Sequence, residues 1–416
     1  MGIKIGVCGT GSFADCFIPL FKEHPLVDEV CLADLLPDRL QEQADRFGIS
    51  QTYTGLDNLC ESDVDAIALY TQRWMHGPHA VQALEAGKHV YSAVPVAISI
   101  EELRALVAAV EKTGLHYMIG ETSFYTPSGI FCREKFKEGA FGDFVYGEGC
   151  YLHDMDHGFK EAYQHSGGDQ WKSQASFPPM YYPTHSVGHV LTTIGGRMTS
   201  VSCLGFTDKG EDGLYIPDSN MWNNEFSNCT ALFRTSNGGM SRINEFRRVG
   251  YQSAPGRQSV RLAIYGTKAS FDETPNSDLW IPHTDPIEDL TAQMTCAPMP
   301  IPEGQTEEEA TARRHGGTQG DFFSGLAPVH PGHRLPKSFK GLPNGHTGSH
   351  QFLVDDFVKS VSFNKIPLLN VWQAAKFSGA GVVAMESARQ EGKRLEVPDF
   401  GEPPADSALL DPEQMS

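Results

Sequence analysis

Short apolar runs alternate with helically spaced apolar positions over the first 125 residues of the chain. We interpret five of these runs as strands, at residues 3–7, 30–33, 65–70, 89–92 and 117–119. Strands that alternate with helices are typical of a parallel sheet. The pattern therefore predicts an α/β domain with a parallel sheet over residues 1–125.

The pattern changes after about residue 125, where longer candidate strands follow one another with few helices between them. The turn sequence Ser236-Asn237-Gly238-Gly239 between two of them is typical of a hairpin. We therefore expect a second α/β domain over residues 126–400, with a largely antiparallel sheet, and a tail over 401–416. Helices are expected to cover one face of this sheet and to leave the other face for substrate or a second subunit. A homo-oligomer is accordingly expected.

Residues 275–345 interrupt the second domain and are rich in Pro, Gly, Thr and His. Long loops in compact domains are usually functional or disordered. We expect this excursion to lie near the cleft or a subunit interface.

The first strand leads directly into Gly9-x-Gly11-x-x-Ala14, and a helical pattern runs from Ser12 toward residue 24. In this strand–turn–helix context the motif binds a dinucleotide, because its glycines allow a tight turn and close approach of the pyrophosphate. Residues 1–125 are therefore predicted to form a dinucleotide-binding (Rossmann) domain. The free N–H groups at the start of the helix attract the phosphates. Predicted cofactor contacts in this loop are Gly9, Thr10, Gly11, Ser12 and Phe13.

Asp34 ends the second strand, about 20 residues after the glycine motif, where an acidic residue binds the adenosine ribose. Its carboxylate would repel a 2′-phosphate, and the two residues that follow it are leucines. The predicted cofactor is therefore NAD rather than NADP.

The charge balance narrows the choice of partners. The 416 residues carry a formal net charge of −19, which argues against nucleic acid and anionic membranes as partners. No apolar run reaches the length of a membrane helix, and the chain opens on a strand rather than on a signal sequence. Its nine cysteines form no C-x-x-C pair, so a reducing cytoplasm is expected.

Two further segments give the chain a family resemblance. Ala86-Gly87-Lys88-His89-Val90 followed by Ala93-Val94-Pro95 resembles the A-G-K-H-V and E-K-P motifs of the Gfo/Idh/MocA oxidoreductases. The resemblance implies a cis peptide at Pro95. It also implies cofactor contacts at Thr71, His76, Pro95 and Glu121. Val94 stands where dehydrogenases of the family have a catalytic Lys.

The family's second motif, D-x-G-x-H, falls on 181–185 of this chain. His185 takes the position of its catalytic His, whereas Tyr181 takes that of its Asp. Two of the three dehydrogenase residues are thus absent, which weakens an assignment as an ordinary sugar dehydrogenase.

The segment from Tyr182 to Gly188 instead resembles Y-P-T-H-G-L-G of the NAD-dependent α-N-acetylgalactosaminidases, a glycosidase branch of the same superfamily. Residues 149–154 likewise resemble their G-A-Y-L-H-D. The resemblance implies that NAD oxidises carbon 3 of a sugar, that the acidified carbon 2 loses a proton and the aglycone leaves, and that water and the hydride are then added.

Such chemistry needs a base of tuned pKa and a group that handles the hydroxyl proton. Tyr182 is the candidate base, provided that a nearby cation lowers its pKa. His185 is the candidate for the hydroxyl proton, and substrate contacts are predicted at His153, Tyr151 and Tyr181. For each of these residues a purely structural role is the alternative, such as a packed aromatic ring or a core histidine.

No metal site is expected, although His185 and His189 have the i,i+4 spacing of metal ligands. Three functions are left open by the sequence. They are a redox-neutral NAD-dependent glycosidase, an NAD-dependent sugar or polyol dehydrogenase, and a non-catalytic NAD-binding regulator.

Overall fold

A computed structural model describes residues 2–251, 259–298, 324–342 and 344–413. The first domain is built on a six-stranded sheet in which every neighbouring pair is parallel. Its strands are β1 (Ile3–Cys8), β2 (Val27–Ala33), β3 (Thr52–Tyr53), β4 (Ala66–Leu69), β5 (His89–Ser92) and β6 (Tyr117–Ile119). Their order is β3-β2-β1-β4-β5-β6, so the chain reverses direction across the sheet between β1 and β4. Ligands of such sheets bind at this point, beyond the carboxyl ends of the strands.

Helices connect these strands as the alternation predicted. They are α1 (Ile18–Lys22), α2 (Pro37–Phe47), α3 (Leu56–Glu61), α4 (His76–Glu85) and α5 (Ile100–Thr113). The helix expected from Ser12 is shorter than predicted, because only a 3₁₀ turn (Ala14–Cys16) precedes α1. Pro19 lacks an N–H group and is tolerated only in the first turn of a helix, where it lies.

The second domain contains a nine-stranded sheet of order β14-β13-β12-β11-β7-β10-β9-β8-β15. Its strands are β7 (Phe144–Leu152), β8 (Met198–Thr207), β9 (Phe226–Thr235), β10 (Met240–Phe246), β11 (Val260–Gly266), β12 (Ala269–Glu273), β13 (Asp278–Pro282), β14 (Glu288–Asp289) and β15 (Leu395–Glu396). All neighbouring pairs are antiparallel except β7 with β10. The predicted hairpin joins β9 to β10, with Gly238 at φ +91°.

Helices of the second domain, chiefly those at residues 184–194 and 371–389, pack against this sheet. The helices of this domain are α6 (Pro127–Lys137), α7 (Lys160–Gly167), α8 (Trp171–Ala175), α9 (Thr184–Ile194), α10 (Thr291–Met294), α11 (His350–Phe363) and α12 (Val371–Arg389). The opposite face exposes apolar side chains on neighbouring strands, among them Leu204, Leu232 and Met240. A second subunit on this face stays a prediction. No helix within the described ranges is long and apolar enough to cross a membrane.

A buried ionic network anchors the end of the excursion to the rest of the molecule. Arg334 Nη1 donates to Asp355 Oδ2 at 2.8 Å and to Asp356 Oδ1 at 2.9 Å, and its Nη2 donates to the Tyr125 hydroxyl at 2.9 Å. Lys359 also pairs with Asp355, at 2.9 Å. Both acids lie on α11, which packs against β1 and α1 of the first domain. The network therefore connects residues from both sides of the cleft.

Candidate active site

A cleft with a cavity volume of about 1230 Å³ runs along the carboxyl ends of the first sheet and reaches the second domain. One end is lined by Asp34, Arg39 and Asn58, and the other by residues of the second domain that include Tyr151 and Tyr182. Its volume exceeds the range of roughly 300–1,000 Å³ that is usual for a small-molecule site. The cleft therefore connects residues that were predicted to contact the cofactor with residues that were predicted to act on the substrate.

The glycine loop fits the pyrophosphate of a dinucleotide. Gly9 has φ +90°, and a Cβ atom there would lie 2.5 Å from the Tyr70 carbonyl oxygen, whereas a Cβ on Gly11 would meet no atom within 4 Å. Within the described part of the chain, the backbone N–H groups of Gly11 and Ser12 have no acceptor. Two such donors on an open cavity wall are suited to an anion.

Asp34 closes the other end of this subsite. It accepts from Thr10 N at 2.8 Å and Thr10 Oγ1 at 2.9 Å, and it also forms a bidentate pair with Arg39 Nη2 at 2.8 Å. Burial acts to raise the pKa of Asp34, but the bonds from Arg39, Thr10 and Leu36 outweigh it and lower the pKa. The carboxylate is therefore ionised and fixed. The sequence argument considered only the residues adjacent to Asp34 and missed Arg39, one helical turn further on.

We expect Asp34→Ser to weaken NAD⁺ binding by about 10–100-fold, because a hydrogen bond to a charged group contributes about 1.5–3 kcal/mol. The change also frees Arg39 for a 2′-phosphate, so the preference for NAD⁺ over NADP⁺ should shrink. Calorimetric titration with both cofactors measures the two affinities. Asp38→Ser, at an exposed position on the helix that carries Arg39, is the matched control. A native protein that bound NADP⁺ more tightly would contradict the role given to Asp34.

The loops after β4 and β5 meet beside the cavity. The Val94–Pro95 peptide is cis, as the family resemblance implied. The His76 ring connects the two loops, with Nδ1 2.8 Å from the Pro95 carbonyl oxygen and Nε2 3.1 Å from that of Thr71. Burial lowers the pKa of His76 to about 4, so the ring is neutral. Thr71, His76 and Val94 line the cavity.

His185 forms a hydrogen-bonded dyad with Glu121. His185 Nδ1 lies 2.7 Å from Glu121 Oε1, and Ser123 N donates to the same oxygen at 2.8 Å. Burial acts to raise the pKa of Glu121, but the charge of His185 and these bonds lower it overall. Glu121 is fully buried and lies outside the cavity wall, so the structure places it against His185. A carboxylate on Nδ1 fixes the tautomer in which Nε2 accepts a proton.

Three aromatic rings surround His185. Its ring centroid lies 5.0 Å from that of Tyr151, 5.4 Å from that of Tyr182 and 6.1 Å from that of His346. All three neighbours line the cavity. The predicted pair Tyr182 and His185 is therefore adjacent, but only Tyr182 lines the cleft, whereas His185 is buried beside these rings and is not part of the cavity wall.

Two arginines face the Tyr182 ring, with their guanidinium carbons 5.8 Å (Arg73) and 5.9 Å (Arg247) from its centroid. Burial nevertheless raises the pKa of Tyr182 to about 12, against the lowering influence of both arginines. Neighbouring cations therefore do lower the pKa of Tyr182, but burial of the phenol raises it by more. A further lowering by bound NAD⁺ stays a prediction.

The predicted substrate contacts divide into two groups. Tyr151 and His153 line the cavity beside Phe159. Tyr181 does not line it, because its ring packs against Phe177 and its hydroxyl accepts a bond of 3.2 Å from Arg389. Side chains of neighbouring residues in a turn point in different directions, and sequence position alone did not indicate which one faces the cleft.

His346 is a cavity residue that the sequence argument did not identify. Its backbone has φ +48°, and its Nδ1 lies 2.8 Å from His350 Nε2. Gly341 and Leu342 line the cavity close to it, so the end of the excursion reaches the cleft as predicted. Residues 299–323 of the excursion lie outside the described residues. The only sequence signal for His346 was the high histidine content of this segment.

Within the described residues, no group of three or more His, Cys, Asp or Glu side chains is arranged to hold a metal ion. His189 does not join His185, because its Nε2 is bonded to Thr126 at 2.8 Å. Asp154 caps the following turn by accepting from Asp156 N. All nine cysteines are free.

Comparison with known proteins agrees with this geometry. Residues 3–121 match the model of the Gfo/Idh/MocA oxidoreductase family, described as an NAD-binding Rossmann fold. A glycosyl hydrolase family 109 protein of Streptomyces filamentosus is 24% identical over 96% of this chain and 77% of its own length. An α-N-acetylgalactosaminidase of Bacteroides fragilis is 32% identical, but over only 38% of this chain and 40% of its own length. Levoglucosan dehydrogenase, solved with NADH and levoglucosan, overlays with a TM-score of 0.68 at 19% identity and covers 96% of this chain and 100% of that chain.

The fold and the cleft define an NAD-dependent enzyme of two domains, a Rossmann domain and an open-faced, mostly antiparallel α/β domain. Its first domain has the NAD-binding Rossmann fold that the model of the Gfo/Idh/MocA oxidoreductase family describes, and it matches that model over residues 3–121.

Proposed function

We propose that this chain is a carbohydrate-active, NAD-dependent enzyme, and specifically a redox-neutral glycoside hydrolase. The observation that carries this proposal is that Tyr182, a residue of the cavity wall, lies beside the buried His185–Glu121 dyad. The same wall has Val94 where the dehydrogenases of the resembling family have a catalytic Lys. The names of two sequence relatives, a family 109 glycosyl hydrolase and an α-N-acetylgalactosaminidase, support the same class of reaction.

The distribution of carboxylates in the cleft supports a mechanism without an acid–base carboxylate pair. Among the described residues, the carboxylates that line the cavity are Asp15, Asp34 and Asp57, all of which belong to the first domain near the glycine loop and the adenosine subsite. Ordinary glycosidases place two carboxyl groups on either side of the scissile bond. None of these three carboxylates lies at the end of the cleft around Tyr151 and Tyr182. Cleavage of a glycosidic bond there would therefore have to be activated by a group other than a carboxylate pair.

Bound NAD would supply a hydride acceptor and, later in the same turnover, a hydride donor. In the proposed cycle His185, which is buried beside the cavity-lining ring of Tyr182, takes the proton of the sugar hydroxyl that becomes a carbonyl, and Glu121 holds its ring in the accepting tautomer. The proton on the neighbouring carbon is then acidic enough for Tyr182 to remove it. Loss of the aglycone, addition of water and return of the proton from Tyr182 complete a cycle that balances as hydrolysis.

The segment 155–175 supports retention of the cofactor through the cycle. Phe159, Ala162 and Ser166 of this segment line the cavity, and Gln72 Nε2 of the first domain donates to the Ser166 carbonyl at 3.4 Å. The segment therefore spans the cleft between the two domains. A redox-neutral enzyme has no need to exchange its cofactor at every turnover, whereas a dehydrogenase does.

A sugar or polyol dehydrogenase is the second candidate, because levoglucosan dehydrogenase overlays on almost the whole chain. In that case Tyr182 and His185 would serve hydride transfer alone, and NADH would accumulate with product.

A panel of 4-nitrophenyl glycosides and the matching free sugars, assayed with added NAD⁺, separates the two functions. We expect nitrophenol release without net NADH and, in D₂O, deuterium on carbon 2 of the released sugar. Stoichiometric NADH from a free sugar, with every glycoside left intact, would overturn the hydrolase proposal and establish the dehydrogenase.

A further inference from the structure

Arg73 extends from the first domain toward the aromatic residues of the second. It begins the 3₁₀ turn (Arg73–Met75) after β4 and lines the cavity. Its guanidinium carbon lies 4.7 Å from the ring centroid of Tyr163, 5.8 Å from that of Phe159 and 5.8 Å from that of Tyr182. These distances are within the range of cation–π attraction. Packing against three rings fixes the position of the charge next to Tyr182.

The charge of Arg73 is not balanced by a carboxylate in the part of the chain that the structure describes. Arg247, which faces the same phenol ring, differs in this respect, because its Nη2 pairs with Glu245 Oε2 at 2.8 Å. A desolvated cation is costly unless an opposite charge or a strong dipole compensates it. The nearest groups that can become anionic beside Arg73 are the phenols that surround it, and of these Tyr182 also lies beside the dyad.

We propose that Arg73 is a positioning residue that holds Tyr182 in the cleft and stabilises its phenolate form, which supplies the base for the carbon proton. The catalytic part of this inference rests on the proposed function, whereas the ionisation of Tyr182 does not. In the proposed step the phenol first loses its proton to solvent. The phenolate then takes the proton from the carbon next to the carbonyl and returns it at the end of the cycle.

The other charged and titratable groups that face Tyr182 are two hydrogen-bonded pairs and two phenols. Glu121 after β6 is bonded to His185 on α9, and Arg247 after β10 is paired with Glu245. The phenols are Tyr163 of α7 and Tyr151 of β7, whose ring stacks on that of Tyr182. After burial, the charge of Arg73 is the largest single influence on the pKa of Tyr182, and it lowers that pKa. Arg73 is therefore the group whose removal should change the ionisation most.

The test is an NMR titration of the full chain loaded with NAD⁺ and labelled with ¹³Cζ-tyrosine, whose shift reports phenol ionisation. Tyr182→Phe assigns the Tyr182 signal by its disappearance. Bound NAD⁺ adds a positive charge that the cofactor-free protein lacks, so we expect Tyr182 to ionise below pH 10.5 in the loaded native protein. Arg73→Gln should raise its midpoint by at least about one pH unit, the size of a neighbouring-charge effect. Arg73→Lys keeps the charge and should restore most of the shift.

Arg389→Gln is the matched control, because Arg389 lies 5.7 Å from the Tyr181 ring and bonds its hydroxyl. It should move the signal of Tyr181 and leave that of Tyr182 in place. A Tyr182 signal that stays protonated to pH 10.5 in the native protein, or that titrates at the same pH in the native, Arg73→Gln and Arg73→Lys proteins, overturns the inference. A low midpoint in a protein that cleaves no glycoside would leave the role of Arg73 intact and refute only the hydrolase proposal.

Discussion

Replacing Tyr182 with Phe is expected to lower turnover by about 10²–10⁴, the usual contribution of general acid–base catalysis. The variant keeps the ring that stacks on Tyr151 but loses the hydroxyl that takes the carbon proton. Affinity for NAD⁺ should be unchanged, because the glycine loop and Asp34 lie at the other end of the cleft. Steady-state cleavage of an active nitrophenyl glycoside, together with calorimetric NAD⁺ binding, measures both quantities.

Tyr146→Phe provides the control for this change, since Tyr146 packs against Tyr265 on the second sheet and does not line the cavity. It should retain turnover within a few-fold. If Tyr182→Phe were equally active, the hydroxyl would have no role in proton transfer and Tyr182 would be only a packing residue.

Arg334→Met is expected to reduce the free energy of unfolding by about 3–5 kcal/mol, the effect of removing one partner from a buried ion pair. The substitution leaves the side chains of Asp355 and Asp356 buried beside an apolar group, and it also removes the bond to Tyr125. Chemical denaturation followed by tryptophan fluorescence measures the loss.

Arg394→Met is the comparison, because Arg394 is mostly exposed and pairs only with exposed Glu396 and with Ser200. Exposed ion pairs contribute about 0–1 kcal/mol to stability, so the free energy of unfolding of this variant should be close to that of the native protein. Equal losses in the two variants would show that the Arg334 network does not hold the excursion in place.

Local patterns predicted the architecture well. Five of the six parallel strands and the hairpin at Gly238 follow from apolar runs bounded by turn residues, which are signals within a few residues of one another. The strand that was not located, Thr52–Tyr53, is only two residues long. The helix after the glycine loop was predicted too long, because its apolar spacing continued through Pro19 and concealed the break. Pro95 was identified through a family motif, and its cis peptide is present.

The site was predictable in its parts but not in its connections. Tyr182 and His185 are three residues apart, so their proximity could be inferred. Glu121 and His346 are distant in sequence from His185. The docking of the two domains brings Glu121 to it, and the folding of the second domain brings His346. The pKa of Tyr182 also depends on packing, because burial raises it and the neighbouring arginines lower it, and no local sequence pattern encodes that packing.

The bond between Glu121 and His185 has a consequence for the molecule as a whole. Glu121 follows β6 of the first domain, whereas His185 lies on α9 of the second, so the bond crosses the boundary between the domains. The bond makes the proton-accepting tautomer of His185 depend on the contact between the two domains. If the domains separate, the imidazole loses its orienting carboxylate, and Nε2 is no longer fixed as the proton acceptor. Proton transfer would therefore require the docked arrangement, and a reactive keto sugar would not form in a cleft that is open to water.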